Sequence, residues 1–441
     1  MRAVVQSILI LSGLALAIPA VRGEPATNAV QVTPAFITQL AEEMRTNHPA
    51  LQAASARTNA AAANAAAVRS WDDPMVRLGG MAAREMMRAD EGDLIYGVEQ
   101  KLPIFGKPAL ARAVAQSEFA TEQASADYQF QTLRRDLAKS LFKTALAHRV
   151  VEIGGQDRDW LQTMVSATEA KYRTDEATLA ELLELQNELS KRTNQLRTDI
   201  ALRGNEEFTL NRLLNRAPES PWPALDLPAV APAIAYTERL VDFSLKYEPK
   251  TLVMRQQIKQ AEAAARLTRR QRLPDFSAGL EARNYTGDGS FRQGMFVLSF
   301  NLPWANAGKY RNDIRRDEAK QRAAELDLTD WQLSARQEVH HLTVAIDAAR
   351  REALLYRDEI IPRSEQALAS ARSAWETGRR TLREILETRR MLLDARLMYA
   401  RAVAEQFTMM SELVLCCGLG DFESLQMIGA EIEPEPAQPK K

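Results

Sequence analysis

The chain is built from two copies of one sequence pattern, and this duplication limits its possible folds more than any other feature. Landmarks in the first half return about 200 residues later, with an offset that changes from 200 to 203 along the chain. The matching landmarks are His48-Pro49 and Glu248-Pro249, Pro74 and Pro274, Leu102-Pro103 and Leu302-Pro303, and Thr178-Leu179 and Thr381-Leu382. We therefore expect both halves to fold alike, with a three-residue insertion between the last two pairs of landmarks.

The segments around the two copies differ from them in composition. Five prolines between residues 218 and 234 predict a linker that is neither helix nor central strand. Residues 1–23 combine Arg2, an apolar run and small residues, which is typical of a secretory signal peptide; a membrane anchor is the alternative. The predicted organisation is a signal peptide (1–23), a first repeat (24–217), the linker (218–234), a second repeat (235–420) and a flexible C-terminal tail (421–441).

Charge and composition argue against several classes of protein. The 57 Lys and Arg residues are balanced by 58 Asp and Glu residues, so the chain lacks the basic surface of a nucleic-acid binder. Its two cysteines, Cys416 and Cys417, are adjacent, which excludes a disulfide-rich scaffold. The S-x-x-K motif at Ser140 lacks the partner motifs of acyl-serine enzymes. We expect no enzyme, no catalytic residue, no cofactor and no metal site.

Four methionines near the first predicted strands leave one alternative open. Their soft thioether sulfurs could bind copper(I), although positions in loops or facing lipid are the favoured explanation. These methionines are Met75, Met81, Met86 and Met87.

Helical and strand patterns follow the same order in each half. A short helix opens the half, with Thr33 as a candidate N-cap before Pro34, and a second helix starts at Pro49 or Pro249. Two strands come next. Long helical patterns then run over residues 108–214 and 310–415, which is too far for single helices and predicts long hairpins or interrupted rods.

The strands show period-2 alternation with one apolar face. They are predicted at Met75–Ala83, Leu94–Leu102, Phe276–Arg283 and Met295–Leu302. Each has about 9–10 residues, the length of a transmembrane strand. Leu280 and Leu298 should then face lipid, and Glu281 and Arg283 a lumen or an interface. A small barrel needs about eight strands, and open edges do not survive in lipid, so several chains would have to combine their strands. Packing on a soluble core is the alternative.

These features together resemble the outer-membrane efflux protein family, the TolC-like outer-membrane factors, from about Val32 to Gly420. The stretch Gln100–Lys107 is similar to the strand-to-helix exit of that family, and its part Leu102–Lys107 resembles the metal-efflux branch most. Tyr172–Asp175 and Trp375–Gly378 stand where the family has an aromatic-x-x-Gly turn at each periplasmic tip, with Asp175 in place of glycine. The stretches after Thr178 and Thr381 match the segment that follows.

The resemblance implies a mainly α fold with a small β part, built from a duplicated helix–strand–strand–helix repeat. Long hairpins would form a periplasmic α-barrel, and four strands per chain would enter a 12-stranded transmembrane β-barrel of a homotrimer. The protein would be a passive conduit in the outer membrane for small molecules or metal ions. A periplasmic adaptor and an inner-membrane pump, of the resistance-nodulation-division type in the most similar branch, would deliver them. The alternatives are a type I protein-secretion conduit and, in another class, a secreted coiled-coil scaffold without a pore.

The second tip carries the candidate gate. Leu382, Ile385 and Leu386 share one helical face, while Glu384 and Glu387 share the opposite face. The resemblance implies that these two glutamates ring the pore at its periplasmic constriction. A solvated helix face is the alternative.

The resemblance also assigns roles to residues around the gate. Arg380 and Trp375 would help to tie the closed tip together, with Arg380 pairing with an acidic side chain of a neighbouring helix, such as Glu181. Gly378, Arg379 and Asp175 would face the adaptor.

Overall fold

A computed structural model describes residues 29–82, 92–286, 289–377 and 379–430. The predicted signal peptide lies outside the described residues, as do Met86, Met87, Gly378 and residues 431–441. Among the helices that are described, none is long and apolar enough to cross a membrane.

Each half contributes the predicted order of elements. The first half consists of β1 (Val30–Gln31), α1 (Pro34–Asn47), α2 (Pro49–Ala67), β2 (Met75–Ala82), β3 (Gly92–Leu102), a 3₁₀ turn (Ile104–Gly106), α3 (Lys107–Arg173) and α4 (Leu179–Leu213). The second half consists of β4 (Leu225–Asp226), α5 (Glu238–Tyr247), α6 (Pro249–Gln271), β5 (Phe276–Tyr285), β6 (Phe291–Phe300), a 3₁₀ turn (Pro303–Asn306), α7 (Ala307–Leu355), a π-helical segment (Tyr356–Ile360), α8 (Ile361–Glu376), α9 (Leu382–Cys416) and α10 (Phe422–Ala430).

The three-residue insertion lies in the long second-half rod formed by α7, the π-helical segment and α8. The rod begins at Ala307, 200 residues after the start of α3, and ends at Glu376, 203 residues after the end of α3. The return helices α4 and α9 both have 35 residues. Each half is therefore a long helical hairpin, as the periodicity predicts, and only the outgoing arm differs in length.

The four long strands form one antiparallel sheet in the order β2-β3-β5-β6. Val76, Leu78, Val98, Leu280 and Phe296 belong to one face and are each more than half exposed. Leu280 and Leu298 lie on this apolar face, and Glu281 and Arg283 lie on the other, as the alternation predicts. The sheet thus carries its apolar side chains on one face, and none of the described residues forms a layer over that face.

The main core lies where the hairpins meet the short helices. It draws on both halves, and its largest fully buried side chains include Met44, Leu137, Phe142, Leu342 and Met410. Buried apolar area of this size is the main force that holds the two repeats together. A second, separate cluster lies near the hairpin tips.

The proline-rich linker is ordered and packs on this core. β4 pairs with β1 in parallel, with Leu225 opposite Val30. The Leu225 N–H also donates to Nδ1 of His148 on α3 at 2.7 Å, while Leu225 and Ile234 are buried. The prolines limit the strand to two residues, consistent with a linker that has no central strand.

Residues 422–430, predicted as part of a flexible tail, form helix α10 instead, and that prediction is wrong for them. Phe422 and Leu425, three residues apart, bury one face of this helix in the main core. The N–H of Ser424 donates to Asp421 Oδ1 at 2.7 Å, as at a helix N-cap. The apolar area that these two side chains bury stabilises the helix, although the sequence that follows it is polar.

Candidate functional site

The first hairpin turns between α3 and α4 through a residue in the left-handed conformation. Asp175 has a φ of 55°, and the Glu176 N–H donates to the Lys171 carbonyl at 2.9 Å across the turn. This six-residue closure is how many helices end, usually with glycine at the left-handed position. Aspartate tolerates that conformation better than most residues. Asp175 therefore makes the turn that glycine makes elsewhere in the family.

The described residues on the two sides of the second turn make the same backbone hydrogen bond. The Arg379 N–H donates to the Ala374 carbonyl at 2.8 Å, which repeats the Glu176–Lys171 bond at an offset of 203 residues. Gly378 lies outside the described residues. The side chain of Arg379 is exposed at the very end of the hairpin.

A hydrophobic cluster joins the two hairpins just behind their tips. It combines Leu161, Met164 and Val165 of α3, Leu182 and Leu185 of α4, Ala371 of α8, and Leu382, Ile385 and Leu386 of α9. The three α9 residues are buried, whereas Glu384 and Glu387 are exposed on the other side of that helix. This is the distribution that the helical spacing predicts.

Trp375 packs at the edge of this cluster. The Lys171 ammonium lies over its ring, 4.1 Å from the ring centroid. Lys171 belongs to the first hairpin and Trp375 to the second, so this cation–π contact connects the two tips.

The predicted pairing of Arg380 with Glu181 does not form within one chain. Arg380 precedes the first residue of α9, and its Nε lies 3.5 Å from Oε2 of Glu384 in the first turn of that helix; both side chains are about half exposed. Glu181 instead forms a capping box with Thr178: its carboxylate accepts from the Thr178 N–H at 2.9 Å, and the Thr178 hydroxyl accepts from the Glu181 N–H. The T-x-x-E pattern of the sequence favours this local role.

A buried ion cluster behind the tips was not predicted. Asp157 on α3 is only 5% exposed. Its Oδ1 accepts from Arg389 Nε on α9 at 2.8 Å, and its Oδ2 lies 3.3 Å from Arg192 Nε on α4. One carboxylate therefore joins three helices of the two hairpins.

A neighbouring pair extends this cluster towards the surface. Glu188 on α4 accepts from Arg390 at 2.8 Å and lies 3.1 Å from Lys191. Burial opposes ionisation of Glu188, but the hydrogen bonds from Arg390 and Lys191 outweigh it and lower its pKa.

The sequence contains a signal for the buried cluster. Arg389 continues the apolar stripe of Leu382, Ile385 and Leu392, and Asp157 continues that of Ile153 and Leu161. A charged residue inside an apolar stripe needs a buried partner.

The described methionines and the cysteines do not point to a metal centre. Met75 lies directly opposite Glu99 in the sheet, on the polar face and not on the lipid-facing one. Cys416 and Cys417 are free thiols; burial raises the pKa of both, that of Cys417 to about 12. In the part of the chain that the structure describes, no group of three or more His, Cys, Asp or Glu side chains is placed to hold a metal ion.

Several solved structures with this fold are outer-membrane proteins or outer-membrane channels. VceC from Vibrio cholerae is 18% identical over 87% of this chain and 96% of VceC, with a TM-score of 0.73. CmeC from Campylobacter jejuni is 14% identical over 96% of this chain and 98% of CmeC, with a TM-score of 0.74. The open state of MtrE from Neisseria gonorrhoeae is 16% identical over 87% of this chain and 89% of MtrE, with a TM-score of 0.70. Identities this low show a shared fold.

The sequence itself identifies the family. A comparison with functionally curated proteins finds none that matches the chain. The profile of the outer membrane efflux protein family, however, matches residues 40–216 and 240–418, one stretch on each side of the proline-rich linker. These two matches cover most of the chain, and they show that it belongs to the outer membrane efflux protein family, the TolC-like channels of the outer membrane.

Proposed function

We propose that three copies of this chain close one channel, which conducts solutes passively out of the periplasm. Channels of this family form trimers and work with a periplasmic adaptor and an inner-membrane pump in efflux systems. The observation that carries the proposal is the incomplete sheet. Its edge strands β2 and β6 have no partner strand among the described residues, and its apolar face is uncovered.

A closed barrel would pair the edge strands and also cover the apolar face. If β6 of one chain pairs with β2 of the next, three four-stranded sheets give a 12-stranded barrel without edges. The apolar face then meets lipid, and the polar face with Glu281 and Arg283 lines the lumen. The hairpins continue from the barrel into the periplasm.

The periplasmic end is the proposed gate. Glu384 and Glu387 are exposed on α9, opposite the buried side of that helix, so three copies would place six carboxylates around the pore axis. Such a ring attracts cations and concentrates negative charge at the constriction. Arg380 lies beside Glu384 in each chain and neutralises part of that charge while the tip is closed.

The ends of the hairpins are the proposed contact with the adaptor. Asp175, Gly378 and Arg379 belong to the two turns, and the side chains of Asp175 and Arg379 are exposed there. A pump of the resistance-nodulation-division type, and export of metal ions in particular, remain predictions from the Leu102–Lys107 stretch.

Purified protein in planar bilayers tests this function. We expect heat-modifiable trimers from the outer-membrane fraction that conduct ions. Arg380→Ser should raise single-channel conductance because it exposes the charge of Glu384. Because this pair is local and exposed, its loss should cost only ~0.2–1 kcal/mol of stability, and the effect on conductance comes from the charge at the constriction.

Arg379→Ser is the matched control. It removes the neighbouring positive charge, whose side chain has no ion pair within the described chain, and should leave the conductance unchanged. A monomeric protein that does not conduct would contradict the proposed function.

A further inference from the structure

The polar face of the sheet carries three arginine–carboxylate pairs with the same uneven exposure. In the pair Arg77–Glu99, the arginine side chain is 57% exposed and the carboxylate 11%. The values are 25% and 11% for Arg283–Glu281, and 46% and 5% for Arg292–Asp93. The charges balance, but in each pair the carboxylate lies against the wall and the arginine is the more exposed partner.

Two glycines make room for the carboxylates. The register places Gly279 opposite Glu99 and Gly97 opposite Glu281, on the two central strands β3 and β5. A Cβ added at Gly279 would lie 2.8 Å from the Val98 carbonyl oxygen, and one at Gly97 would lie 2.7 Å from the Leu280 carbonyl oxygen. The strands therefore approach more closely here than any residue with a side chain permits.

Glu99 uses this space to reach across the sheet. Its Oε1 accepts from the Ser299 hydroxyl on β6 at 2.6 Å, and its Oε2 accepts from Arg77 Nη2 on β2 at 2.5 Å. The side chain must cross β5 at Gly279 to contact Ser299. Both carboxylate oxygens are thus occupied at the wall, and Glu99 has little negative charge to offer to a solute.

The third pair depends on an irregularity in β6. The register shifts between Arg283, opposite Gln293, and Asn284, opposite Phe291, so Arg292 is the extra residue of a β-bulge. A bulge redirects a side chain. Here the Arg292 guanidinium reaches Asp93 on β3, two strands away, and donates to both carboxylate oxygens at 2.7 and 2.8 Å.

We propose that the barrel lumen presents an arginine belt, formed by Arg77 and Arg283 of each chain, that binds anionic groups of passing solutes. The occupant is a small anion or a carboxylate-bearing solute, because a guanidinium keeps further N–H donors free after one contact and matches carboxylate geometry. This inference rests on the proposed closure of three sheets into one barrel. The belt would act in series with the acidic ring at the periplasmic tip and would oppose its preference for cations.

The test measures reversal potentials of purified trimers in planar bilayers under a KCl gradient. The ring is first neutralised by Glu384→Gln with Glu387→Gln, so that the barrel dominates selectivity. In this background we expect preference for chloride over potassium. Adding Arg77→Gln with Arg283→Gln should lower the chloride-to-potassium permeability ratio by about threefold, since a charged channel wall concentrates its counter-ions several-fold. A ratio that the two arginine changes leave unaltered would overturn the arginine belt.

Two controls separate this result from loss of structure or of the channel itself. Arg77→Lys with Arg283→Lys keeps the charge and should keep the ratio; a ratio as low as in the glutamine variant would also count against the belt. Citrate added on the barrel side provides a second measurement. Its half-blocking concentration should rise several-fold in the arginine-to-glutamine variant, and an unchanged value contradicts the inference. If no variant, including the unmodified chain, forms conducting trimers, the proposed channel function fails instead.

Discussion

The ammonium group of Lys171 lies 4.1 Å from the centre of the Trp375 ring and joins the tips of the two hairpins. Sequence resemblance pairs Arg380 with Glu181 in the closed tip and gives no partner for Trp375. The structure gives it a cation from the other hairpin, while Glu181 caps its own helix. The contact that connects the tips is therefore a cation–π contact and not an ion pair.

Lys171→Met should open the tip more often. An exposed cation–π contact contributes ~0.5–1 kcal/mol, so three copies would shift the closed–open equilibrium by about 10- to 100-fold. Single-channel recordings should show a higher open probability. Arg173→Met removes a positive charge two residues away with no ring contact, and it should behave like the unmodified chain. Equal effects of the two changes would assign the result to net charge and not to Trp375.

Glu384→Gln with Glu387→Gln should reduce cation selectivity and weaken block by multivalent cations. The reason is that the carboxylate ring supplies the attraction for cations at the constriction. Reversal potentials and block by a trivalent cation would measure both effects. Glu338→Gln changes an exposed glutamate on α7 and serves as the control. Unchanged selectivity in the double variant would mean that α9 presents these glutamates to bulk solvent.

Asp157→Asn should destabilise the hairpin pair strongly. The change leaves Arg192 and Arg389 buried without their counter-charge, and loss of one partner of a buried ion pair costs ~3–5 kcal/mol. Chemical unfolding in detergent, followed by circular dichroism, measures the loss. Glu365→Gln breaks the more exposed contact with Arg396 on α9 and should cost at most ~1 kcal/mol. Similar losses of stability in the two variants would mean that the buried ion cluster at Asp157 contributes no more than an exposed ion pair.

Asp317 should make the packing of α6 on α7 sensitive to acid. Hydrogen bonds from Arg316 and from the Thr268 hydroxyl of α6 lower the pKa of Asp317 to about 2. The unfolded chain has a pKa of about 3.9 for aspartate. The folded state thus holds its proton less tightly, so this stabilisation is complete above about pH 4 and is lost as the pH falls towards 2.

Asp317→Asn should therefore lower the unfolding temperature at pH 6 and have a smaller effect near pH 2. Thermal unfolding at both pH values checks this sign. Asp347→Asn, which alters an exposed pair with Arg351 on one helix, is the control. A loss that is equal at both pH values would contradict the proposed linkage.

Leu280→Arg should impair assembly because it places a charge on the lipid-facing side of the sheet, at a cost of ~2–4 kcal/mol near the bilayer midplane. Spin labels compare the two faces directly. A label at 280 should be accessible to oxygen in lipid, and one at 281 to a water-soluble nickel reagent. Cys417 is buried and Cys416 is partly buried, and burial raises the pKa of both thiols, which lowers their reactivity, so the labels report on the introduced cysteines. Water exposure at 280 would contradict the barrel.

Local sequence patterns predicted most of the helices and strands. The features that they did not predict depend on contacts between residues far apart in the sequence. The period-2 pattern placed the strands to within a few residues. The change of offset from 200 to 203 indicated a three-residue insertion, which lies in the long second-half rod between Ala307 and Glu376. The helix at Phe422 was missed because two apolar side chains carry it through contacts with a distant core. Asp157 was missed because its partners lie on two other helices.

The candidate gate shows the same division. The spacing of Leu382, Ile385 and Leu386 correctly gave the buried side of α9. No spacing rule gives the partner of Trp375, since Lys171 meets it only after both hairpins have folded and packed. The T-x-x-E pattern at Thr178 did carry the actual role of Glu181, which local capping decides.

The π-helical segment Tyr356–Ile360 makes the two hairpins mechanically unequal. The first outgoing arm is one uninterrupted helix of 67 residues, which resists bending along its whole length. The second arm is three residues longer, ~4.5 Å at 1.5 Å per residue, and it contains a wide turn followed by Pro362, a combination at which helices bend. When the pore opens, we expect the second hairpin of each chain to bend at this segment and to move relative to the straight first hairpin, in all three copies.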